Sequence, residues 1–466
     1  MTAEIQTADL VIHGGTVVTE HEMFRGGVAV VDGTIAAVGT AETLPEGREY
    51  IDATGKLVMP GVVDPHVHCA DPFSGDDYET ATRAAARGGV TTIINFAWEG
   101  FDEELSYHPP ETTLLEGIEY CRSKADEALI DYGVHGTLAS GEQATLAELS
   151  EAVERGVTSF KMFTAYEVGV SNGYIESVFE ELADLGAVGL CHTEDGAVCD
   201  ARTERLQANG YGDPPSYPRS RPSFAEAMAA DDVLRLARNS GVQYYGVHTS
   251  CQEAAEVFED YIEDGSQIRT ETCTHYTALT DAAYERLGTL PMIAPPLRTS
   301  EDVESIFRHL RDGTLSVVSS DHCAYTRESK QVENWWDSSF GANSLQTSLS
   351  VFHDVAVIER GLPYPLLVRL LCATPARTFG LPQKGTLTPG TDADIVVFDP
   401  ECVWTVDPEE NESVADFSIY EGREMTGRVE TTLVRGVPVA SGGEIVSEAG
   451  HGRFLERDCP DWQSQA

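Results

Sequence analysis

The sequence predicts an α/β protein: a (β/α)8 barrel of the TIM type beside a small β-sandwich domain built from both termini. Three observations predict it. Eight apolar runs recur between about residues 60 and 380, with helical patterns between most of them, as in a parallel sheet buried on both faces. The two ends of the chain share a different texture, short strands punctuated by glycines. The ends of the apolar runs also collect imidazoles, a lysine and a carboxylate, at the place where such a barrel keeps its active site.

Residues 1–59 read as the N-terminal part of the β domain. Short strands are expected at 9–13, 16–18, 27–31, 34–38 and 56–59, with turns at Gly14-Gly15, Gly26-Gly27 and Asp32-Gly33. Residues 60–380 read as the barrel, whose eight runs are VVDPHVH, TTIINF, YGVHGTL, TSFKMFT, VGLCHTE, YYGVHTS, RTETCTHY and LSVVSSDHC. Residues 223–239 and 250–263 carry helical periodicity between runs. Residues 381–445 return to the β domain through ADIVVF (393–398) and TTLV (431–434), and 446–466 read as an irregular tail.

The chain holds 77 acidic against 31 basic residues, a formal net charge of −46. The acids are spread along it, as at 102–104, 151–154 and 407–410, and only five residues are lysine. Such a surface repels nucleic acid and anionic membranes. It also repels itself unless salt screens it, which points to a salt-rich cytoplasm such as that of a halophilic archaeon. Ten scattered cysteines with no C-x-x-C pair read as reduced thiols. Cys69, Cys191, Cys251, Cys273 and Cys323 lie beside candidate site residues and read as small buried filler. No basic-then-apolar leader opens the sequence and no run approaches a membrane span, so a cytoplasmic protein is expected.

In GVVDPHVHCADPF (61–73), His66 and His68 alternate with Val67. Strand side chains alternate faces, so both imidazoles point the same way. The fourth run carries Lys161, the fifth ends on His192, the sixth on His248 and the eighth on Asp321. Any one is weak evidence, but together in barrel order they read as a metal site. Lys161 lies between Phe160, Met162 and Phe163. Burial and nearby cations favour its neutral amine, which can take up carbon dioxide as a carbamate, N6-carboxylysine. A carbamate is a bidentate anion able to bridge two metals.

This set resembles the amidohydrolase superfamily with a binuclear centre. FKMFTAY (160–166), HTEDG (192–196), HTSCQEAAEVF (248–258), APPLR (294–298) and SDHCAY (320–325) are similar to the dihydropyrimidinase and hydantoinase family, and GTLTPGTDADIVVFDP (385–400) to its return into the β domain. The resemblance implies two divalent ions, usually zinc, with manganese or cobalt as alternatives. One is held by His66, His68, Lys161 and Asp321, the other by Lys161, His192 and His248. It implies a bridging hydroxide that attacks a cyclic ureide, with Asp321 as proton shuttle and Tyr166 as oxyanion donor. Asn343 and the main chain at Ala294 would bind the ring edge, and the product would be an N-carbamoyl amino acid. A homotetramer, or a dimer, is implied as well. Ala294 replaces the family's usual serine, Gln346, Thr347 and Ser348 replace its usual charged residues, and ETCTHY (271–276) reads more like allantoinases. The competing expectations are an allantoinase or dihydroorotase with the same site, and a non-catalytic assembly relative. His322, of opposite parity, is expected to support structure.

Overall fold

The computed structural model describes residues 7–100 and 112–463. Residues 1–6, the acidic run at 102–104 and the last three residues lie outside the described residues. The N-terminal stretch forms β1 (Ala8–Val18), β2 (Met23–Val31), β3 (Thr34–Gly39), β4 (Gly47–Asp52) and β5 (Leu57–Pro60). Then come β6 (Val62–His68), β7 (Val90–Trp98), β8 (Asp131–Thr137), β9 (Ser159–Phe163) and β10 (Val188–His192). They are followed by β11 (Gln243–Gly246), β12 (Ile268–Cys273), β13 (Val317–Ser319) and β14 (His322–Cys323). The C-terminal stretch adds β15 (Ile395–Thr405), β16 (Glu424–Val434), β17 (Val437–Ser441) and β18 (Glu444–Ile445).

The first and last groups share one mixed sheet, ordered β18-β17-β16-β15-β5-β1-β2-β3, with β4 branching from β1. The two ends of the chain join where β15 runs antiparallel to β5, Val397 opposite Val58. Leu10, Ile12, Val58, Ile395 and Leu433 bury a common apolar core there. Two glycine pairs expected as turns lie inside strands. Gly14 and Gly15 form an irregularity within β1, and Gly26 and Gly27 lie within β2. A Cβ on Gly27 would stand 2.0 Å from the Ile12 carbonyl, so the pair is set by close strand approach and not by chain reversal. β4, with the polar sequence GREYID, and β17 and β18 carry too little apolar periodicity to have been read.

The middle group forms a second sheet of parallel strands in the order β13-β12-β11-β10-β9-β8-β7-β6-β14. β13 pairs with β12 and β14 with β6, and only Ser320 and Asp321 separate β13 from β14. The eighth unit is thus a strand broken in the middle, and its halves touch both the seventh unit and the first. Val63, Ile94, Leu190, Tyr245 and Val317 pack together with Trp462 of the tail. The C-terminal segment is held down: Phe454 bridges to Tyr132, and the buried Arg457 donates to the Val134 carbonyl. Two expected runs end early. β11 stops two residues before His248, and ETCTHY turns after Cys273 into the short helix Thr274–Ala278. Among the described residues no helix is long and apolar enough to cross a membrane.

Candidate metal centre and active site

The polar residues at the strand ends meet around one cavity of about 830 Å³, lined by His66, His68, Lys161, His192, His248 and Asp321. β6 delivers His66 and His68 on one side, their rings 5.5 Å apart. β9 delivers Lys161 and β10 delivers His192. His248 and Asp321 sit just past strand ends with positive φ, +40° and +46°. That backbone region is costly for residues other than glycine. The break between β13 and β14 is the sheet's accommodation of Asp321.

Three carboxylates fix the imidazoles from behind. His66 Nδ1 is 2.5 Å from Glu271 Oε1, His68 Nδ1 2.7 Å from Asp71 Oδ2, and His192 Nε2 2.9 Å from Glu194 Oε2. With each of these nitrogens donating to its carboxylate oxygen, the other ring nitrogen presents a lone pair to the cavity. His66 Nε2 then faces Asp321 Oδ1 at 3.1 Å, and His68 Nε2 faces it at 3.8 Å. His192 Nδ1 lies 2.9 Å from His248 Nε2. Lone pairs opposed to an anionic oxygen repel unless a cation stands between them. Burial drives the same way: it pushes His66 and His248 well below the usual histidine range and lowers His192 despite Glu194, so these rings stay neutral and available as ligands. The donor set fits divalent cations.

Lys161 is buried, and its amine meets no hydrogen-bond acceptor among the described residues, only the faces of Phe96 at 5.5 Å and Phe163 at 5.2 Å. Burial lowers its pKa, with Asp321 pulling the other way. Tyr166 lines the cavity on the His192 side, its ring centroid 5.1 Å from that imidazole, and adopts φ +69°. Ala294 lines the same cavity. The neighbouring carbonyls are taken, Ile293 by the Tyr217 hydroxyl and Pro295 by the Tyr276 hydroxyl, while the Ala294 main chain makes no hydrogen bond among the described residues.

One expected residue is not brought to the cavity. The Asn343 amide turns away and donates to the Phe417 carbonyl at 2.5 Å, in a separate small recess beside Trp404 and Val406. The reason is local pairing: Ala342 bridges to His322, which leaves Gly341 on the cavity wall and sends Asn343 outward. His322 supports structure as expected, 2.8 Å from Asp76 and receiving two main-chain N–H groups. The five cysteines near the site are buried and unpaired, and Cys323 lines the cavity. The acids behind the imidazoles were the residues the sequence reading missed. Their signals were present: Asp71 follows His68 by three positions, Glu194 follows His192 by two, and Glu271 opens ETCTHY.

A model of the amidohydrolase family matches residues 57–439. The chain is 37% identical to a D-hydantoinase of Streptomyces coelicolor, covering 96% of this chain and 97% of that one. It is 32% identical to an allantoinase of Escherichia coli, covering 94% and 98%. Its fold superposes on the crystal structure of a dihydropyrimidinase from Brevibacillus agri with a TM-score of 0.91 and 30% identity, over 97% of this chain and 99% of that chain.

Proposed function

The chain belongs to the amidohydrolase family, and from that premise we propose how it works. It is a cyclic amidohydrolase: it hydrolyses a C–N bond in a cyclic amide. We assign the substrate as a 5,6-dihydropyrimidine or a 5-substituted hydantoin, opened to an N-carbamoyl amino acid. The observation that carries the assignment of residues is the shared one above: three imidazoles pinned from behind by acids, with their free nitrogens, Lys161 and Asp321 converging on one cavity.

The family is generally dependent on a binuclear metal centre. In our reading His66, His68, Lys161 and Asp321 hold one divalent ion, and Lys161, His192 and His248 the other. Zinc fits this nitrogen and oxygen set, with manganese or cobalt as alternatives. Lys161 would serve this centre as the N6-carboxylysine carbamate, which would remove a positive charge from among cations. When bound, such a pair supplies Lewis acidity and makes hydroxide available near neutral pH.

Asp321 accepts the proton of the attacking nucleophile and passes it to the ring nitrogen as the C–N bond breaks. The new C–O bond makes the attacked carbonyl a carboxylate. The Tyr166 hydroxyl donates to the oxyanion that develops in between. The unengaged main chain of Ala294 orients the ureide edge.

The cavity wall favours an apolar substituent over a charged one. Phe73 meets Trp98 edge-on and Trp98 stacks on Phe163, at 4.9 and 5.3 Å between centroids, and Phe340 lines the cavity with them. Among the described lining residues no arginine is present and Lys161 is the sole lysine, so the carboxylate of dihydroorotate meets no guanidinium among them. Allantoin, the second reading, would set a polar ureido group against these rings.

We take 1–59 and 381–445 as one β-sandwich domain, 60–380 as the (β/α)8 barrel and 446–466 as a tail. We further read the protein as a cytoplasmic homo-oligomer, a tetramer or dimer, whose −46 charge suits a halophilic archaeon. A turnover panel of dihydrouracil, a 5-substituted hydantoin, allantoin and dihydroorotate, run in molar salt with zinc, tests the substrate. Highest kcat/KM on the first two is expected, and a preference for allantoin would overturn the choice.

A further inference from the structure

Arg221 does not line the cavity, yet it touches both halves of the chemistry. It stands between the turn Pro214–Arg219 and the helix Ser223–Ser240. Its Nη1 lies 2.5 Å from Glu194 Oε2, the same oxygen that accepts from His192 Nε2 at 2.9 Å. Its guanidinium carbon stands 4.7 Å over the Tyr166 ring and 5.6 Å from the Phe340 ring. Tyr166 needs such support. Its backbone is left-handed, at φ +69°, and its hydroxyl makes no hydrogen bond among the described residues, which leaves the ring to be placed by stacking.

Arg221 is itself anchored. The buried Arg298 donates Nη1 to the Arg221 carbonyl at 2.5 Å and Nη2 to Glu226 at 2.9 Å, and its Nε to Ser250 Oγ at 2.9 Å. Glu226 accepts from the Ser250 N–H at 2.8 Å, two residues past His248. Two arginines and two acids therefore tie together Glu194 of HTEDG, Ser250 of HTSCQ and Arg298 of APPLR, motif residues that the metal chemistry itself leaves unused.

We propose that Arg221 is the positioning residue of this site: through Glu194 it fixes the His192 tautomer, and by stacking it holds Tyr166 with its hydroxyl over the reacting carbonyl. This rests on the reading of Tyr166 as oxyanion donor. A cation on the ring face also draws density from the phenol, which strengthens the O–H bond donated to a developing anion. Glutamate and tyrosine cannot both be served by a lysine, whose ammonium is a point charge without a planar fork.

The test uses the zinc-loaded full chain and the variants Arg221→Met, Arg221→Lys, Tyr166→Phe and the double variant Arg221→Met/Tyr166→Phe. Arg221→Met should lower kcat roughly 10- to 100-fold with a much smaller change in KM, and should speed the loss of metal to a chelator. Arg221→Lys should fall between the two, which keeps the test open if the methionine variant misfolds. In the Tyr166→Phe background the Arg221→Met loss should shrink severalfold, because the ring it holds no longer carries a donor. Equal Arg221→Met losses in both backgrounds, or a lysine variant matching wild type in kcat and metal loss, would overturn the positioning role. A Tyr166→Phe enzyme with unchanged kcat would instead remove the donor reading, and with it the ring-holding half of the proposal.

Discussion

Lys161 and Lys384 are both buried lysines, and they differ in everything that decides whether the charge survives. Lys384 is 1% exposed and sits among three carboxylates, Asp131 at 2.5 Å, Asp392 at 2.9 Å and Asp394 at 2.8 Å. Burial works against its ammonium, but the acids, Asp394 first, override it and raise its pKa. Lys161, at the other end of the parallel strands, has aromatic faces and no hydrogen-bonded acid, and its pKa falls. Lys330 has neutral partners: its amine donates to the carbonyls of Met292, Ser339 and Gly341, and burial pushes it down to about 7. Burial penalises the ammonium at all three positions, and only the carboxylates around Lys384 outweigh that penalty.

If the two ends are divided in this way, damage at one should spare the other. The largest effect belongs to the catalytic end. Asp321→Ala should lower kcat about 10⁴-fold, the upper range for a general acid–base group, with most metal retained and melting little changed. Calorimetry beside steady-state kinetics reads both, and near-normal kcat would mean another base works. At the opposite end, Lys384→Met leaves Asp131, Asp392 and Asp394 without their shared cation. That should cost roughly 3–5 kcal/mol of stability in denaturant melts, while the surviving folded fraction keeps its metal and kcat. Loss of metal there would break the division.

Tyr166→Phe removes one donor and keeps the ring. A fall in kcat of roughly 10²–10³ is expected with metal content constant; a change confined to KM would make Tyr166 a binding residue. Lys330 gives a pH signature. Its folded pKa of about 7 lies below an unfolded value near ~10.4, so the unfolded chain binds more protons between them. Wild type should therefore gain stability over Lys330→Met as pH rises from about 7 to about 10, by at most ~1.4 kcal/mol per pH unit. A flat difference across that window would mean the three carbonyls keep the amine charged. The smallest effect is diffuse. With 77 acids against 31 bases, melting temperature and assembly should rise from dilute buffer to about 1 M potassium chloride, where the Debye length is near 3 Å. Equal stability in dilute buffer would defeat the halophilic reading.

Much of this was legible in the sequence because it is local. Alternation put His66 and His68 on one side, and an apolar frame around a lysine in a chain with five marked Lys161. Regions governed by distant contacts were not legible. Gly26 and Gly27 look like a turn but lie inside a strand whose two neighbours, β1 and β3, approach their backbone too closely for a Cβ. Asn343 is displaced by a bridge between Ala342 and His322, twenty positions apart. Arg221 acts on Glu194 and Tyr166, which other elements carry, and nothing in its own neighbourhood marks it.

The account turns on Lys161, and metal analysis of Lys161→Ala tests it most directly. Elemental analysis should find two divalent ions per chain in the wild type and at most one, loosely held, in the variant, with turnover nearly abolished and the fold intact by circular dichroism. A folded variant that keeps two ions and full turnover would contradict it.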